Sequence, residues 1–341
     1  MRNFDGFYKG IDLGGWISQC GKNYNDEHYS TFITEKDVEK IASMGLDHVR
    51  MPVDYNVIQT EDGKLIESGM AYIENCVGWC KKHGINIVID LHKTCGYIFD
   101  DPTYCGFFAN EKLQDQFVYL WQEIAKRYGN DEHIAFELLN EITSADFTES
   151  WNKIASRTVK EIRKIAPYTK IVIGGIFNSS IYGLTKLDIP WDENIVLTFH
   201  CYNPLVFTHQ GAGWIDSLDK SYRTTFPATA EKLLADSRKY FGEDFASDFN
   251  GITGMIDSSF FVKMFGDAIN VAEKLDLPLY CGEYGVIDQA DTEGTLNWFR
   301  LIHEAFEKYH IARAVWSYKE MDFGITDAHY APIYDELIKA L

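Results

Sequence analysis

The chain has 341 residues, of which 46% are hydrophobic and 24% are charged, a balance typical of a globular protein with a sizeable core. Its formal net charge of −19 argues against a nucleic-acid partner, because binding a phosphate backbone requires a basic surface. No stretch approaches the length of a transmembrane helix, so we expect no membrane association.

The N-terminal segment MRNFDGFYKG lacks the apolar run of a secretory signal. The seven cysteines include no C-x-x-C pair, which favours buried free thiols in a reducing compartment. We therefore expect a cytoplasmic monomer, or a secreted protein if a signal peptide has been removed.

Short apolar runs alternate with amphipathic helices along the chain. A capping box at Thr34–Asp37 opens the first clear helix, which ends near Gly45. Apolar stripes at helical spacing predict further helices before Gly84, before Gly129 and over Trp151–Ile165. The predicted strands are Gly10–Leu13, Leu46–Val53, Ile85–His92, Ile134–Glu141, Lys170–Gly175, Ile195–Tyr202, Pro278–Gly285 and Ala312–Tyr318.

Eight strand–helix alternations predict a parallel sheet that closes into a (β/α)8 TIM barrel. A doubly wound open sheet is the alternative, but the G-x-G-x-x-G turn expected after an early strand of that fold is absent. The chain between the sixth and seventh strands is unusually long and rich in aromatic residues. We expect a single catalytic domain over residues 1–341, with residues 203–259 inserted between strand six and helix six.

Polar side chains follow the apolar part of most predicted strands. Because the carboxyl ends of all strands in a parallel barrel meet at one mouth, we expect these side chains to surround a site there. Glu141 should lie at the mouth, with Glu137 a layer deeper and accepting hydrogen bonds from Arg50 or His48. Strand alternation groups the side chains as His48 with Arg50, Asp90 with His92, Glu137 with Leu139 and Glu141, Thr198 with His200 and Tyr202, Cys281 with Glu283, and Trp316 with Tyr318.

Glu141 and Glu283 are the only glutamates that close the apolar core of a predicted strand. Paired carboxylates in a pocket suit acid/base chemistry, because their surroundings can separate their pKa values. If they lie about 5–5.5 Å apart across a glycosidic bond, hydrolysis with retention follows. The alternative is a metal site that includes His92 and His200, although no H-E-x-x-H or H-x-H motif is present. A serine hydrolase is disfavoured, because the chain lacks a G-x-S-x-G elbow.

Segments along the whole chain resemble glycoside hydrolase family 5. They are GIDLGGW (10–16), LDHVRMP (46–52), DLH (90–92), FELLNE (136–141), HCYNP (200–204), CGEYG (281–285) and VWSY (315–318). The resemblance implies a retaining endo-acting enzyme on β-1,4 or mixed β-1,3/1,4-glucan oligosaccharides and polysaccharides, with no cofactor and no metal. An exo-acting β-glucosidase or a β-mannanase on the same machinery, and a carbohydrate-binding protein without catalysis, remain alternatives.

Carried over by position, the resemblance makes Glu141 the acid/base and Glu283 the nucleophile. Its supporting substrate-binding positions are Arg50, His92, Asn140, His200, Tyr202 and Trp316. Asn140 can bond a sugar 2-hydroxyl, and Arg50 and Tyr202 can donate to Glu283.

Two positions depart from the family pattern. Asp12 stands where the family usually has Asn, and Lys93 stands where many members have a second His. Both lie near the glycone side, so they concern linkage and chain-length preference. Four aromatic residues, Trp16, Tyr97, Phe207 and Trp214, are candidates either for sugar platforms or for ordinary loop packing. Of these, we expect Trp214 to bind substrate, with Phe207 beside it in a wall over the mouth.

Overall fold

The computed structural model describes residues 1–189 and 191–341. Eight parallel strands form a closed barrel in which each strand pairs with its sequence neighbours and the last pairs with the first. This confirms the predicted (β/α)8 TIM barrel. The strands are β1 (Lys9–Asp12), β2 (His48–Asp54), β3 (Asn86–Lys93), β4 (Ile134–Glu137), β5 (Lys170–Gly174), β6 (Ile195–Cys201), β7 (Leu279–Tyr284) and β8 (Ala312–Val315).

Helices connect the strands and cover the outside of the barrel. The longer ones are α2 (Glu35–Ser43), α4 (Glu67–His83), α5 (Glu111–Tyr128), α6 (Thr148–Arg163), α10 (Ala230–Phe241), α13 (Gly266–Leu275) and α14 (Thr292–Tyr309). The shorter ones are α1 (Asp26–Thr31), α3 (Tyr55–Ile58), α7 (Ile176–Ser179), α8 (Ile181–Leu184), α9 (Leu205–Thr208), α11 (Glu243–Ala246), α12 (Ser259–Met264) and α15 (Tyr334–Lys339). Single 3₁₀ turns lie at Gly106–Ala109, Ala145–Phe147, Ser247–Phe249 and Ala331–Ile333.

The helix ends follow the signals in the sequence. The capping box before α2 is formed, and the backbone N–H of Thr34 donates to Asp37 over 2.8 Å. Gly84 ends α4 in the left-handed conformation at φ 69°, which glycine adopts without steric cost. Asn110 caps α5 by accepting a bond from the N–H of Lys112 at 3.0 Å. Local chemistry therefore determines where the crossovers begin and end.

Two strands end three or four residues earlier than predicted, whereas the ends of the other six differ from the prediction by one residue. β4 stops at Glu137 instead of Glu141, and β8 stops at Val315 instead of Tyr318. Leu139, which alternation placed with Glu137 inside the barrel, packs into the core between barrel and helices instead. Tyr318 likewise turns outward, and its hydroxyl donates to Asp37 at 3.1 Å. Side chains therefore no longer alternate regularly between inside and outside beyond the ends of β4 and β8.

The alternation predicted for β7 is also wrong. Tyr280 lies inside the barrel, whereas Cys281 packs toward the helices. The pairing of β6 with β7 passes from Phe199↔Cys281 directly to His200↔Glu283 and skips Gly282. This one-residue bulge reverses the alternation, so Glu283 points into the barrel although Cys281 does not.

The apolar side chains form two main layers. The larger layer lies between barrel and helices and includes the buried Trp121, Trp151 and Trp298. The smaller layer fills the amino-terminal end of the barrel, where the stacked rings of Phe4 and Phe7 lie 4.4 Å apart. The amino-terminal end is therefore closed by packing, and the polar interior is left at the carboxyl-terminal mouth.

The segment after β6, residues 203–259, contains α9, α10 and α11. Phe207 is fully buried, with its ring 5.2 Å from that of Phe226. The prediction that Phe207 lines a sugar-binding wall is therefore wrong, because its side chain belongs to the core of this segment. Trp214 remains 54% exposed. The limits of the insertion, and a single domain over residues 1–341, stay predictions.

All seven cysteines are free thiols, and only Cys105 is not buried. Over residues 1–189 and 191–341, no helix is long and apolar enough to cross a membrane. The buried thiols agree with the expectation from cysteine spacing.

The bulge gives a test of packing at the mouth. A Cβ on Gly282 would lie 2.8 Å from Thr198 Oγ1 and 3.2 Å from His200 Nε2. We expect Gly282→Ala to lower the free energy of unfolding by roughly 1–3 kcal/mol, the usual cost of overpacking, in urea denaturation. Gly78→Ala is the control, because no heavy atom lies within 4 Å of that Cβ in α4, and it should be neutral or stabilising. Equal stability of the two variants would contradict the prediction.

Candidate active site

Arg50 lies fully buried inside the barrel mouth and contacts four carboxylates. Its Nε and Nη2 donate to Glu137 at 2.7 and 3.1 Å. Its Nη1 donates to Asp12 at 2.9 Å and to Glu283 at 2.8 Å. Its Nη2 also lies 3.1 Å from Asp90 Oδ2. The predicted bond from Arg50 to Glu137 is present, whereas His48 bonds elsewhere, to Asp47 and Tyr280.

Four buried carboxylates around one guanidinium carry more negative charge than Arg50 can compensate. Burial raises the pKa of Asp12 well above its usual range in spite of the charge of Arg50. Burial also raises the pKa of Glu137. Asp12 Oδ2 has no hydrogen-bond partner among the described residues. A proton on that oxygen makes Asp12 a neutral group of the same shape as the asparagine usual in the family.

Glu141 and Glu283 face each other across the mouth. One carboxylate oxygen of each, with a ring nitrogen of His200, forms a group whose atoms all lie within 4.8 Å of one another. His200 Nδ1 is 2.8 Å from Glu141 Oε1 and 3.6 Å from Glu283 Oε2. The hydroxyl of Tyr202 donates to Glu283 Oε2 at 2.8 Å. Glu283 is thus held by Arg50 on one oxygen and by Tyr202 on the other.

The two glutamates have different electrostatic surroundings. Burial favours the neutral acid of Glu141, but the hydrogen bond and charge of His200 outweigh it and lower the pKa of Glu141. Burial opposes the charge of His200, but the negative charges of Glu283 and Glu141 outweigh it and raise the pKa of His200. The free site therefore favours a proton on His200 and a negative charge on Glu141.

His92, Asn140 and Trp316 complete one side of the mouth. His92 Nδ1 is 2.6 Å from Asp90 Oδ2, and its Nε2 is 3.5 Å from Asn140 Nδ2. Asn140 Oδ1 accepts a bond from Arg50 at 2.9 Å, which orients the amide. The indole of Trp316 stacks on His92 with ring centroids 5.8 Å apart and planes 7° apart. These side chains form a continuous polar and aromatic surface beside the two glutamates.

Burial decides between sugar platform and loop packing, the two roles that the sequence left open for Trp16 and Tyr97. Trp16 and Tyr97 are at most 1% exposed, so neither can be a sugar platform. The Trp16 indole donates to the carbonyl of Tyr29 at 2.7 Å. The Tyr97 hydroxyl donates to the carbonyl oxygen of Glu141 at 2.6 Å and fastens the chain at that residue. Trp214 lies at the edge, its ring centroid 6.5 Å from that of Phe323.

Asn178 is a site residue that the sequence reasoning missed. Its Nδ2 donates to Glu141 Oε2 at 2.8 Å. It follows β5, a strand whose carboxyl end shows no charged residue, so the polar-end pattern did not select it. An asparagine three residues after the Gly174–Gly175 pair was the available signal.

The Glu141–His200–Glu283 group also has the spacing of a metal site. His200 Nδ1, however, is already hydrogen-bonded to Glu141. This contact accounts for the short distances through proton sharing alone, and the absence of a metal stays a prediction.

The raised pKa of Asp12 predicts a pH dependence of stability. Because its folded-state pKa is raised, the folded protein binds this proton more tightly than the unfolded chain, and Asp12 lowers stability as the pH rises above about 4. Asp12→Asn removes this effect. We therefore expect the Tm of Asp12→Asn minus the Tm of the unmodified protein to increase as the pH rises from about 4 to about 8, as measured by thermal denaturation.

The control is Asp12→Ala, which leaves Arg50 without one partner and should be destabilising over the same range. A Tm difference for Asp12→Asn that does not vary with pH would show that Asp12 is ionised in the folded protein.

Comparison with known proteins places this site in a family. The family model for cellulase (glycosyl hydrolase family 5) matches residues 14–322. Cellodextrinase A of Ruminococcus flavefaciens is 42% identical over 90% of this chain and 84% of its own length. Endoglucanase C of Acetivibrio thermocellus is 41% identical over 98% of both chains. The structure of Thermotoga maritima Cel5A in complex with mannotriose superposes with a TM-score of 0.76 at 26% identity, covering 98% of this chain and 97% of that one. The chain is therefore a glycoside hydrolase that belongs to glycosyl hydrolase family 5.

Proposed function

We propose that the protein is a retaining endo-β-glucanase that cleaves β-1,4 or mixed β-1,3/1,4-glucan through a covalent glycosyl-enzyme intermediate. The observation that carries the proposal is the short separation of Glu141 and Glu283, with oxygens within 4.8 Å. Retaining glycosidases have carboxyl groups about 5–5.5 Å apart, whereas inverting enzymes need roughly 6.5–9.5 Å to admit a water molecule. A separation of at most 4.8 Å between these oxygens favours retention.

In the first step, Glu283 attacks the anomeric carbon while the bond to the leaving oxygen breaks. Arg50 and Tyr202 each donate a hydrogen bond to one oxygen of Glu283, which fixes the position of its carboxylate for this attack. Glu141 gives its proton to the leaving oxygen in the same step. Asn140 lies beside this pair with its amide oriented by Arg50, in a position suited to a sugar 2-hydroxyl.

The proton for this step comes from the pair formed by Glu141 and His200. When a sugar fills the pocket and expels water, separated charges on the two side chains become less favourable. The proton then moves from His200 Nδ1 to Glu141 Oε1 across the 2.8 Å hydrogen bond. After the leaving group has taken it, the ionised Glu141 accepts a proton from the water that releases the sugar from Glu283.

The substrate class is supported by two relatives. Endoglucanase C and cellodextrinase A are named for β-glucan substrates and cover most of this chain. The mannotriose complex of Thermotoga maritima Cel5A favours β-mannan as the second candidate substrate. An exo-acting β-glucosidase remains the other alternative on the same machinery. A binding protein without catalysis is disfavoured, because both glutamates and their hydrogen-bond partners are intact.

The substrate is tested by a product profile on mixed-linkage glucan, carboxymethyl cellulose, laminarin, mannan and aryl β-glucosides. We expect a rapid fall in viscosity and oligosaccharide release from mixed-linkage glucan and carboxymethyl cellulose. NMR of the first turnovers should show the β-anomer, and exhaustive chelation should leave the rate unchanged. Release of glucose alone would contradict endo action. A preference for mannan would contradict the glucan specificity, and an α-anomer would contradict retention.

The roles of the two glutamates are separated by substitution. Glu283→Ala should abolish turnover of all substrates. Glu141→Ala should still be glycosylated by dinitrophenyl β-cellobioside, because that leaving group needs little acid assistance. Azide should then restore turnover of Glu141→Ala and give a β-glycosyl azide. Rescue of Glu283→Ala with an α-glycosyl azide would show that the roles are reversed.

Trp214 is proposed as a platform for remote sugar units. Its indole is 54% exposed at the edge of the mouth, and sugar binding there can be used at the reacting centre. We expect Trp214→Ala to lower kcat/KM on polymeric glucan by roughly ten-fold, about 1.4 kcal/mol, and to affect aryl β-cellobiosides much less.

The matched control is Tyr168→Ala. Tyr168 is 80% exposed and lies between α6 and β5, at the end of the barrel opposite the mouth. This variant should leave both activities unchanged. Equal losses on polymer and cellobioside in Trp214→Ala, together with a lower Tm, would assign Trp214 to structure instead of substrate binding.

A further inference from the structure

The chain leaves β5 through three consecutive residues with left-handed backbone. Phe177, Asn178 and Ser179 have φ angles of 55°, 56° and 51°. Residues other than glycine rarely adopt this conformation, although asparagine tolerates it best. A run of three persists only where surrounding contacts determine it, and such strain is concentrated at functional sites.

This turn is hydrogen-bonded both to the backbone next to Glu141 and to the Glu141 carboxylate. The backbone N–H of Asn178 donates to the carbonyl of Ile142 at 3.0 Å, and Ile142 forms a parallel bridge with Ile176. The side chain of Asn178 then reaches Glu141 Oε2 at 2.8 Å. The backbone of Asn178 therefore binds the residue after Glu141, and the side-chain amide of Asn178 binds the Glu141 carboxylate.

Both oxygens of Glu141 are therefore occupied by donors. Oε1 faces His200 Nδ1 at 2.8 Å, and Oε2 faces the amide nitrogen of Asn178 at the same distance. An ionised carboxylate accepts both bonds through four lone-pair sites, whereas protonation of one oxygen uses one of those sites and weakens that oxygen as an acceptor. Asn178 is exposed, so its side chain is accessible from the open side of the mouth.

We propose that Asn178 is a positioning residue that holds Oε2 of Glu141 in place and favours the ionised carboxylate, the form that activates water in the second half of the reaction. The inference rests on the acid/base role proposed for Glu141. The turn after β5 then influences whether the carboxyl group of Glu141 is protonated or ionised. This role gives a functional reason for the left-handed backbone at Asn178.

The electrostatic surroundings of Glu141 support this assignment. Burial favours the neutral acid, and the hydrogen bonds from His200 and Asn178 oppose it, so that the pKa of Glu141 is lowered. Asn178 favours the carboxylate there as an uncharged hydrogen-bond donor. The titratable groups that face Glu141 from other elements are His92 of β3, Tyr97 after β3, His200 of β6, Tyr202 after β6, His209 after α9 and Glu283 of β7.

Three variants at this position separate the amide from the backbone. Asn178→Ala removes the donor and keeps a side chain that disfavours left-handed backbone. Asn178→Gly removes the same donor and relieves the strain. Asn178→Asp retains tolerance of the left-handed backbone but places a second carboxylate beside Glu141, which disfavours its ionisation.

The readout is the pH dependence of kcat/KM on an aryl β-cellobioside with a poor leaving group, which reports the ionisation of the free enzyme. The basic limb reports loss of the proton that His200 and Glu141 share, so it moves only to the extent that the proton resides on Glu141. We expect it to move upward in Asn178→Ala and Asn178→Gly alike, by at most about 0.5–1 pH unit, the equivalent of one net hydrogen bond. The shift should be larger in Asn178→Asp. With dinitrophenyl β-cellobioside, where release of the sugar limits the rate, kcat should fall in all three variants.

A basic limb at the same pH in all variants, or a shift in Asn178→Ala that Asn178→Gly does not share, would overturn the inference in favour of a purely structural turn. Azide rescue of Glu141→Ala tests the acid/base assignment without involving Asn178. If rescue succeeds and the limb does not move, this inference alone fails. If rescue fails, the proposed function fails and this inference with it.

Discussion

The burial of one guanidinium, that of Arg50, is the constraint on which the rest of the mouth depends. A buried charge without partners is strongly destabilising, so the barrel must bring carboxylates to it. Asp12, Asp90, Glu137 and Glu283 do so from four other strands. The same contacts hold the nucleophile candidate and orient the neighbouring amide of Asn140. Ion pairing thus links the stability of the barrel interior to the geometry of the site.

The two carboxylates proposed for catalysis reach the mouth through irregular backbone. Glu283 points inward because the bulge at Gly282 reverses the alternation of β7. Glu141 lies beyond the end of β4, where Tyr97 and Asn178 hold its carbonyl and its carboxylate. With regular alternation, Glu283 would point outward, as Cys281 does. The irregularities instead place one against Arg50 and Tyr202 and the other against His200, and different surroundings are what separate the roles of two acids.

The segment after β6 shows how aromatic composition divides between packing and surface. Phe207 and Phe226 pack against each other inside it, because a segment of this length needs its own apolar core. Trp214 stays outside, near Phe323 at the edge of the mouth. From composition alone, each of these aromatic residues could either pack in the core of the segment or bind sugar at the surface. Only its burial in the folded protein distinguishes the two.

The sequence by itself determined the barrel, its helix caps and the strands that carry the site, since alternating apolar runs and capping residues act over a few positions. It also indicated that Glu137 would be a buried partner of Arg50 or His48, and the structure shows that the partner is Arg50. The tertiary structure alone decided the inward direction of Glu283, the burial of Phe207 and the contact of Asn178 with Glu141. A bulge changes the period within one strand, and a contact between separate loops depends on how the whole barrel closes. Neither leaves a local pattern in the sequence, because both arise from packing between residues that are distant along the chain.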